Sequence, residues 1–221
     1  MKKLMRYSLM SFFSILFFSC SLNNDSEDIN NSIIKENEHL NKNSSGLSDD
    51  INFINLVLEM ESFKSFINQV IVNNNLSLSE VELELEELNS LNYDYENQIS
   101  KVNLIFNEDV SSAYITHVEN FNEAWLKIQT DYPDLDEVSI KDSYATVLEK
   151  TDANGSVIGF ECGWRYNLCI AGAGAAAVLC HAGCDTTALA TTGGLGIPAC
   201  IWLCGTVQVA ASAACYDQYC N

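Results

Sequence analysis

Cysteine is the residue type whose spacing carries the most chemical information in this chain of 221 residues. Thiols form disulfides in an oxidising compartment, or bind metal ions as thiolates. Six of the nine cysteines are reflected about position 192, and two more lie nearly in the same register. Antiparallel helices pair residues in this way, because each step forward along one arm matches a step backward along the other. The reflection predicts four bridges, which are Cys184–Cys200, Cys180–Cys204, Cys169–Cys215 and Cys162–Cys220.

The elements that must position these bridges are two helices joined by a turn. At about 100° per residue, the cysteines of each arm lie on one stripe. Small residues between them, mostly Gly and Ala, permit the short Cα–Cα distances of a cystine. The connecting segment 191–198 contains three glycines and ends with Pro198, which suits the first turn of a helix. The sequence therefore predicts a disulfide-laddered antiparallel helical hairpin over 162–221.

A zinc site is the alternative use of the same thiols. Cys180 and Cys184 have a Cys-x3-Cys spacing that some metal sites use. We expect no metal and no cofactor, because exported thiols oxidise and the reflection already accounts for these cysteines. The sequence has no Gly-rich phosphate loop, no Gly-x-Ser-x-Gly elbow and no metalloprotease helix motif. We therefore expect no enzyme and no catalytic residue.

The N-terminus predicts export. Three basic residues within 1–6 precede an apolar run over 7–18, as in a signal peptide. The lone Cys20 follows a small residue and resembles the end of a bacterial lipobox, in which the cysteine is lipidated and becomes the new N-terminus. Removing Cys20 from the count leaves an even eight cysteines. This interpretation predicts a lipid anchor at the cell envelope, and the alternative is a plain signal peptide cleaved nearby.

Charge divides the rest of the chain into two kinds of polypeptide. Residues 21–161 carry 28 acidic side chains and seven lysines, whereas few charged residues follow them. Such an acidic exported segment argues against a nucleic-acid partner. Composition and helical periodicity predict an all-α chain with five segments: a signal peptide (1–19), a disordered acidic tether (20–50), an acidic helical domain (51–150), a linker and candidate processing region (151–161), and the hairpin (162–221).

One stretch of the acidic domain has an ambiguous pattern. Val81, Leu83 and Leu85 alternate as in a strand. Ser77 and Glu80, just before them, match a helix-capping box. For the domain as a whole we expect a bundle of three or four helices.

The hairpin has the composition of a membrane-active segment. An arm of about twenty residues is about 30 Å long, comparable to the hydrocarbon thickness of a bilayer. Because small residues occupy the inner stripe, we expect the larger apolar side chains to face outward. The predicted contacts with a target membrane or receptor are Trp164, Ile201, Trp202, Leu203, Val207 and Val209. The alternative is that this face packs on the acidic helices as ordinary core.

The segments Leu179–Cys184 and Gly193–Pro198, with the cysteines from Cys200 to Cys215, resemble the C-terminal peptide of halocin-like bacteriocins. The resemblance covers about the last sixty residues. It implies a disulfide-rich, growth-inhibiting peptide that is cut from a longer precursor. It also implies that the N-terminal part can serve as an immunity protein.

We therefore expect a precursor of a secreted or surface-tethered antibacterial peptide. Its partners would be the membrane of a target cell or a membrane receptor, and an immunity partner that is intramolecular or separate. After cleavage, the C-terminal peptide would be extracellular. Two alternatives stay open. The chain could be a non-toxic surface lipoprotein whose hairpin is a rigid binding or structural module, or the acidic domain could bind a cationic ligand.

Overall fold

The computed structural model describes residues 46–91, 94–153, 162–188 and 197–220. These residues contain helices and no strand, so the predicted all-α class is confirmed. The predicted signal peptide, Cys20, most of the tether, most of the linker and the glycine turn of the hairpin lie outside the described residues. The seven helices are α1 (Ile51–Asn73), α2 (Leu78–Asn89), α3 (Tyr95–Phe106), α4 (Ser111–Asp131), α5 (Glu137–Ala153), α6 (Trp164–Ala188) and α7 (Pro198–Tyr219).

Five helices, rather than three or four, form the acidic part of the fold. The ambiguous stretch is helical, since α2 buries Val81 and Leu85 one turn apart and leaves Leu83 65% exposed. Ser77 is the N-cap residue of α2, as predicted, but its side chain makes no capping hydrogen bond with the described backbone. The capping box is therefore absent, although the helix begins where the sequence places it.

The last residues of the predicted tether belong to the folded part of the chain. Leu47 is fully buried, Ser48 is 4% exposed, and Asp50 caps α1 by accepting hydrogen bonds from the amides of Asn52 and Phe53. The expectation of disorder up to residue 50 is wrong for these positions. An aspartate before an apolar helix is a strong N-cap, and it draws the preceding turn onto the core.

The hairpin arms α6 and α7 lie against the acidic helices. Helix α7 packs on α1, α2 and α3 as well as on α6, while α6 packs on α5 and α1. Residues from Leu40 to Asn221 form one compact unit. The boundary between acidic and neutral sequence is therefore a boundary of composition and not of packing.

Two hydrophobic clusters make up the core, and each draws residues from both kinds of sequence. One includes Val102 and Phe106 of α3 together with Trp202 of α7. The other includes Tyr144 of α5 together with Val178 of α6. The apolar face of the hairpin is thus an integral part of both clusters.

Candidate functional site: the hairpin and its acidic cover

Four disulfides hold the hairpin in the predicted register, three between α6 and α7 and one, Cys162–Cys220, between the residues just outside them. Their Cα–Cα distances are 5.8 Å for three of the bridges and 4.9 Å for Cys162–Cys220. Pro198 occupies the first turn of α7, as expected from its fixed φ. The laddered antiparallel hairpin predicted from the cysteine reflection is therefore confirmed. We call helices α1 to α5 the cover, because they pack on the outer face of this hairpin.

The sulfurs that a zinc site would use are already bonded to one another. The Sγ atoms of Cys180, Cys184 and Cys204 lie within 4.8 Å of one another. Each of them belongs to a disulfide, and a disulfide sulfur is not the thiolate that binds zinc. A metal could use this cluster only after the bridges had been reduced.

Most of the predicted target contacts lie under the cover. Ile201, Trp202, Leu203 and Val209 are at most 7% exposed. The expectation that they face the surroundings is wrong for this fold, and the alternative, an apolar face packed on the acidic helices, is the arrangement observed. The physical reason is the hydrophobic effect, since burying one such side chain contributes about 1.5–3 kcal/mol.

Trp202 lies at the centre of the interface. Its ring centroid is 4.6 Å from that of Phe106 and 5.1 Å from that of Phe63, and Phe66 is 6.2 Å away. These rings come from α1 and α3, so two elements of the cover enclose one side chain of the hairpin. Each of the three phenylalanines lies on a helical apolar stripe of the sequence, which indicates burial but does not identify Trp202 as the partner.

Two glycines of the hairpin accommodate large side chains of the cover. A Cβ atom on Gly174 would lie 2.3 Å from the ring of Tyr144. A Cβ on Gly205 would lie 2.4 Å from Ile67 and 3.0 Å from Phe63. Real Cβ atoms do not approach other atoms so closely, so these positions require glycine for close packing rather than for backbone freedom.

A pair of buried histidines bridges the cover and the hairpin. His117 of α4 and His181 of α6 are at most 1% exposed, and their rings meet edge to face with centroids 5.1 Å apart. His117 also stacks on Phe63, at 3.7 Å between centroids. Its Nδ1–H donates to Glu59 Oε1 at 2.9 Å, and that of His181 donates to the Ala177 carbonyl at 2.7 Å. Both Nε2 atoms lack a hydrogen-bond partner among the described residues, and this arrangement disfavours protonation of either ring.

Burial lowers the pKa of both imidazoles. Desolvation, with a smaller effect from His117, lowers the pKa of His181 to about 3. Desolvation also lowers the pKa of His117, although Glu59 partly opposes it. The histidines are candidates for pH sensing that the sequence did not identify, because their separation of 64 positions gave no sign of contact.

A second polar group at the interface joins three helices. Tyr144 of α5 donates to Glu61 Oε1 of α1 at 2.7 Å, and Gln208 Nε2 of α7 lies 3.4 Å from the same oxygen. Lys64 pairs with the other carboxylate oxygen. Desolvation and the neighbouring Glu61 carboxylate raise the pKa of the Tyr144 hydroxyl well above its usual value. Nothing in the sequence pattern singled out Glu61, which the fold buries.

The open end of the hairpin carries the most exposed large apolar side chains of the two described arms. Trp164 is 68% exposed and Tyr216 is 52% exposed. The guanidinium of Arg165 lies 5.5 Å from the Trp164 ring, and the rings of Tyr166 and Tyr216 meet edge to face at 6.4 Å. Of the predicted contacts, only Trp164 is exposed in this fold, while Val207 is partly buried.

Both arms have the length and composition of a membrane-crossing helix. Trp164–Cys184 has a mean hydropathy of 1.5, and Pro198–Tyr219 has a mean hydropathy of 1.4. About half of each is buried inside the fold, 44% and 56% respectively. The core helix of a soluble protein satisfies the same criterion, so the hydropathy alone does not distinguish the two environments.

The cover has its own surface cavity of about 390 Å³ between α1 and α4. Its lining is mainly amide and carboxylate groups, with one lysine that pairs with Glu123. The lining residues are Asn52, Asn55, Leu58, Glu59, Asn120, Glu123, Ala124 and Lys127.

Comparisons of the chain with protein-family models, with curated proteins and with solved structures give no match.

Proposed function

We propose that this protein is the precursor of an antibacterial peptide, and that the acidic cover keeps the peptide inactive. The active part would be the disulfide-laddered hairpin of 162–221. It would act on the membrane of a target cell or on a receptor in that membrane. The chain would be exported, and Cys20 would anchor it at the cell envelope until the hairpin is released.

The observation that carries this proposal is the burial of the hairpin's apolar face. Four bridges fix two bilayer-length helices in one register, and the cover encloses the side chains that a membrane would otherwise contact. Outward apolar faces of this size require a cover in water. A covalently attached cover would protect the producing cell from its own product until the connection at 154–161 is cut.

Removal of the cover is the step that activates the peptide in this proposal. The four bridges lie within the hairpin, so the described bridges do not tie it to the cover. Cutting the connection at 154–161 would leave only noncovalent contacts, centred on Trp202 and on Glu61 with its partners. A membrane can replace the apolar contacts, since hydrocarbon chains solvate the same side chains.

A protease recognition sequence inserted between Ala153 and Cys162 tests the proposal. The uncut chain should release no dye from lipid vesicles and should inhibit none of a panel of bacteria. After cutting, the oxidised protein should do at least one of these, and the activity should disappear when the bridges are reduced. Equal behaviour of the cut and uncut chains in both assays would contradict the proposal.

Two substitutions in α3 test the role of the cover, one at the interface and one matched control on the exposed face. Phe106→Ala removes a ring that touches Trp202 and should lower the vesicle concentration needed for activity of the cut chain. Leu104→Ala, on the same helix but 72% exposed, should not change that concentration. If both variants behave alike, the cover does not control the hairpin.

The second candidate function is a non-toxic surface lipoprotein in which the hairpin is a rigid internal support. The close packing at Gly174 and Gly205 favours this candidate, because it fits the hairpin to the cover as permanent core. In that case the cut chain would stay together in the presence of vesicles and would inhibit no strain.

A further inference from the structure

The two bridges nearest the turn lie against each other. Cys180 and Cys184 are one helical turn apart on α6, and Cys200 and Cys204 are one turn apart on α7. Cys180 pairs with Cys204, and Cys184 pairs with Cys200. Sulfurs of different bridges therefore come into contact, and the Sγ atoms of Cys184 and Cys204 are 3.5 Å apart. The Cys169–Cys215 bridge is eleven residues from Cys180–Cys204 along both arms, and seven and five residues from Cys162–Cys220. Among the described residues, the cysteine sulfurs that cluster within 4.8 Å of one another are those of Cys180, Cys184 and Cys204.

Exposure differs sharply among these four cysteines. Cys180 is exposed, whereas Cys184 and Cys204 are 1% and 2% exposed. Cys200 is partly buried. Cys180 is the most exposed of the four cysteines, so we expect a thiol from solution to attack its sulfur first.

Thiol–disulfide exchange proceeds by attack of a thiolate on one sulfur of a bridge, with the other sulfur leaving as a thiolate. An external thiolate that attacks Sγ of Cys180 forms a mixed disulfide there and breaks the Cys180–Cys204 bond. The electron pair of that bond leaves on Cys204. The Cys204 thiolate lies 3.5 Å from Sγ of Cys184 and can attack it in turn. The second step forms a Cys184–Cys204 bridge, breaks Cys184–Cys200 and releases Cys200 as a thiolate, which takes a proton from water.

We propose that the Cys180–Cys204 and Cys184–Cys200 bridges form one exchange unit, in which Cys180 is the site of modification by a thiol and Cys200 is the sulfur finally displaced. Burial drives the second step, because a thiolate is poorly tolerated at the buried Cys204 and better tolerated at the partly exposed Cys200. Once Cys204 is bonded to Cys184, it can no longer attack the mixed disulfide and expel the added thiol. The modification is thereby retained, and the turn end of the hairpin keeps a bridge. This inference does not depend on the proposed function.

Cys180→Ser tests the second step without an external thiol, because it leaves Cys204 as a free thiol in a protein with three bridges. The oxidised variant is held at pH about 8, where thiolates form, then quenched with acid, unfolded and labelled with N-ethylmaleimide. Peptide mapping should find more label on Cys200 than on Cys204. Label on Cys204 alone would overturn the relay.

Cys169→Ser is the matched control. It leaves the free thiol of Cys215, which is 3% exposed and therefore buried like Cys204. Because its bridge has no neighbour in contact, the label should stay on Cys215. Label spread over several cysteines of this control would show general scrambling rather than a directed exchange.

Glutathione tests both steps in the unmodified protein. The expected product carries one glutathione on Cys180, a Cys184–Cys204 bridge and a free thiol at Cys200. A glutathione adduct on Cys180 with the Cys184–Cys200 bridge intact would overturn the second step. The absence of any adduct on Cys180, with adducts at other cysteines, would overturn the entry site.

Discussion

Two buried histidines make the stability of the packed hairpin and cover depend on pH. His181 is fully buried, with a pKa lowered to about 3 by desolvation and by His117. In the unfolded chain a histidine has a pKa of about 6.5. Between these values the unfolded state binds more protons than the folded state, so the free energy of unfolding falls as the pH falls below about 6.5. Mild acid should therefore lower the stability of the fold in which the cover packs on the hairpin.

His181→Leu should remove this part of the pH dependence. Between pH 7 and pH 5, one histidine with the shifts described costs the folded state about 2 kcal/mol, and the leucine variant should lose less stability over the same interval by about that amount. Urea unfolding of the disulfide-intact proteins at the two pH values measures the difference. His39→Gln, which changes a histidine of the predicted tether, should keep the original dependence. Identical pH dependence in all three proteins would refute the linkage.

A second prediction concerns glycines of α6. Replacing one by alanine should lower or raise the free energy of unfolding, depending on whether that glycine packs against the cover. Gly174→Ala would force a methyl group into the buried ring of Tyr144 and should lower the free energy of unfolding by about 1–3 kcal/mol. Gly183→Ala, in the same helix, meets no described atom and should raise it by about 0.5–1 kcal/mol through helix propensity. Urea unfolding checks both. Equal stabilisation by the two substitutions would show that Tyr144 does not pack on Gly174.

Among the helices, α7 is the element around which the cover is organised. It packs on three helices of the cover and on its partner arm, and its residues from Ile201 to Thr206 are all buried. Ordinary amphipathic helices bury one face. A helix buried on most of its circumference contributes to the core in every direction, so its neighbours on α1, α2 and α3 should be sensitive to truncation.

Phe106→Ala is the corresponding prediction for the cover. Phe106 is fully buried against Trp202, so the substitution should cost about 3–5 kcal/mol. Leu104→Ala on the same helix removes an exposed side chain and should change stability by less than about 0.5 kcal/mol. The measurement is the urea midpoint of the disulfide-intact proteins. A small effect of Phe106→Ala would mean that α3 is not held against the hairpin.

The sequence predicted these elements unevenly, and the reason is physical. The bridges followed from spacing, because two helices impose one register on Cys169, Cys180 and Cys184. What covers Trp202 could not be read in the same way. An apolar residue has the same preference for a lipid, a partner or a neighbouring helix, and nothing in its spacing distinguishes them. The burial of Glu61 was missed for the related reason that its partners, Tyr144 and Gln208, are distant in sequence.

For the molecule as a whole, charge separates the two parts while apolar contact joins them. The chain has a net charge of −19, and after residue 161 the charged side chains are Arg165, Asp185 and Asp217. An attraction between cover and hairpin that rests on apolar burial should persist when ions screen the charges. Cut between Ala153 and Cys162, the two parts should therefore co-elute in size-exclusion chromatography both at low salt and in about 1 M NaCl. Separation at high salt alone would show that charge holds the cover in place.

The most direct measurement of the central claim is the intact mass, without reduction, of what the producing cells release and of what they keep in their membranes. The proposed function predicts a released fragment that begins between Thr151 and Cys162 and that is eight hydrogens lighter than its reduced form, as four bridges require. A single species that begins at a lipidated Cys20, retained in the membrane fraction with no fragment released, would contradict it.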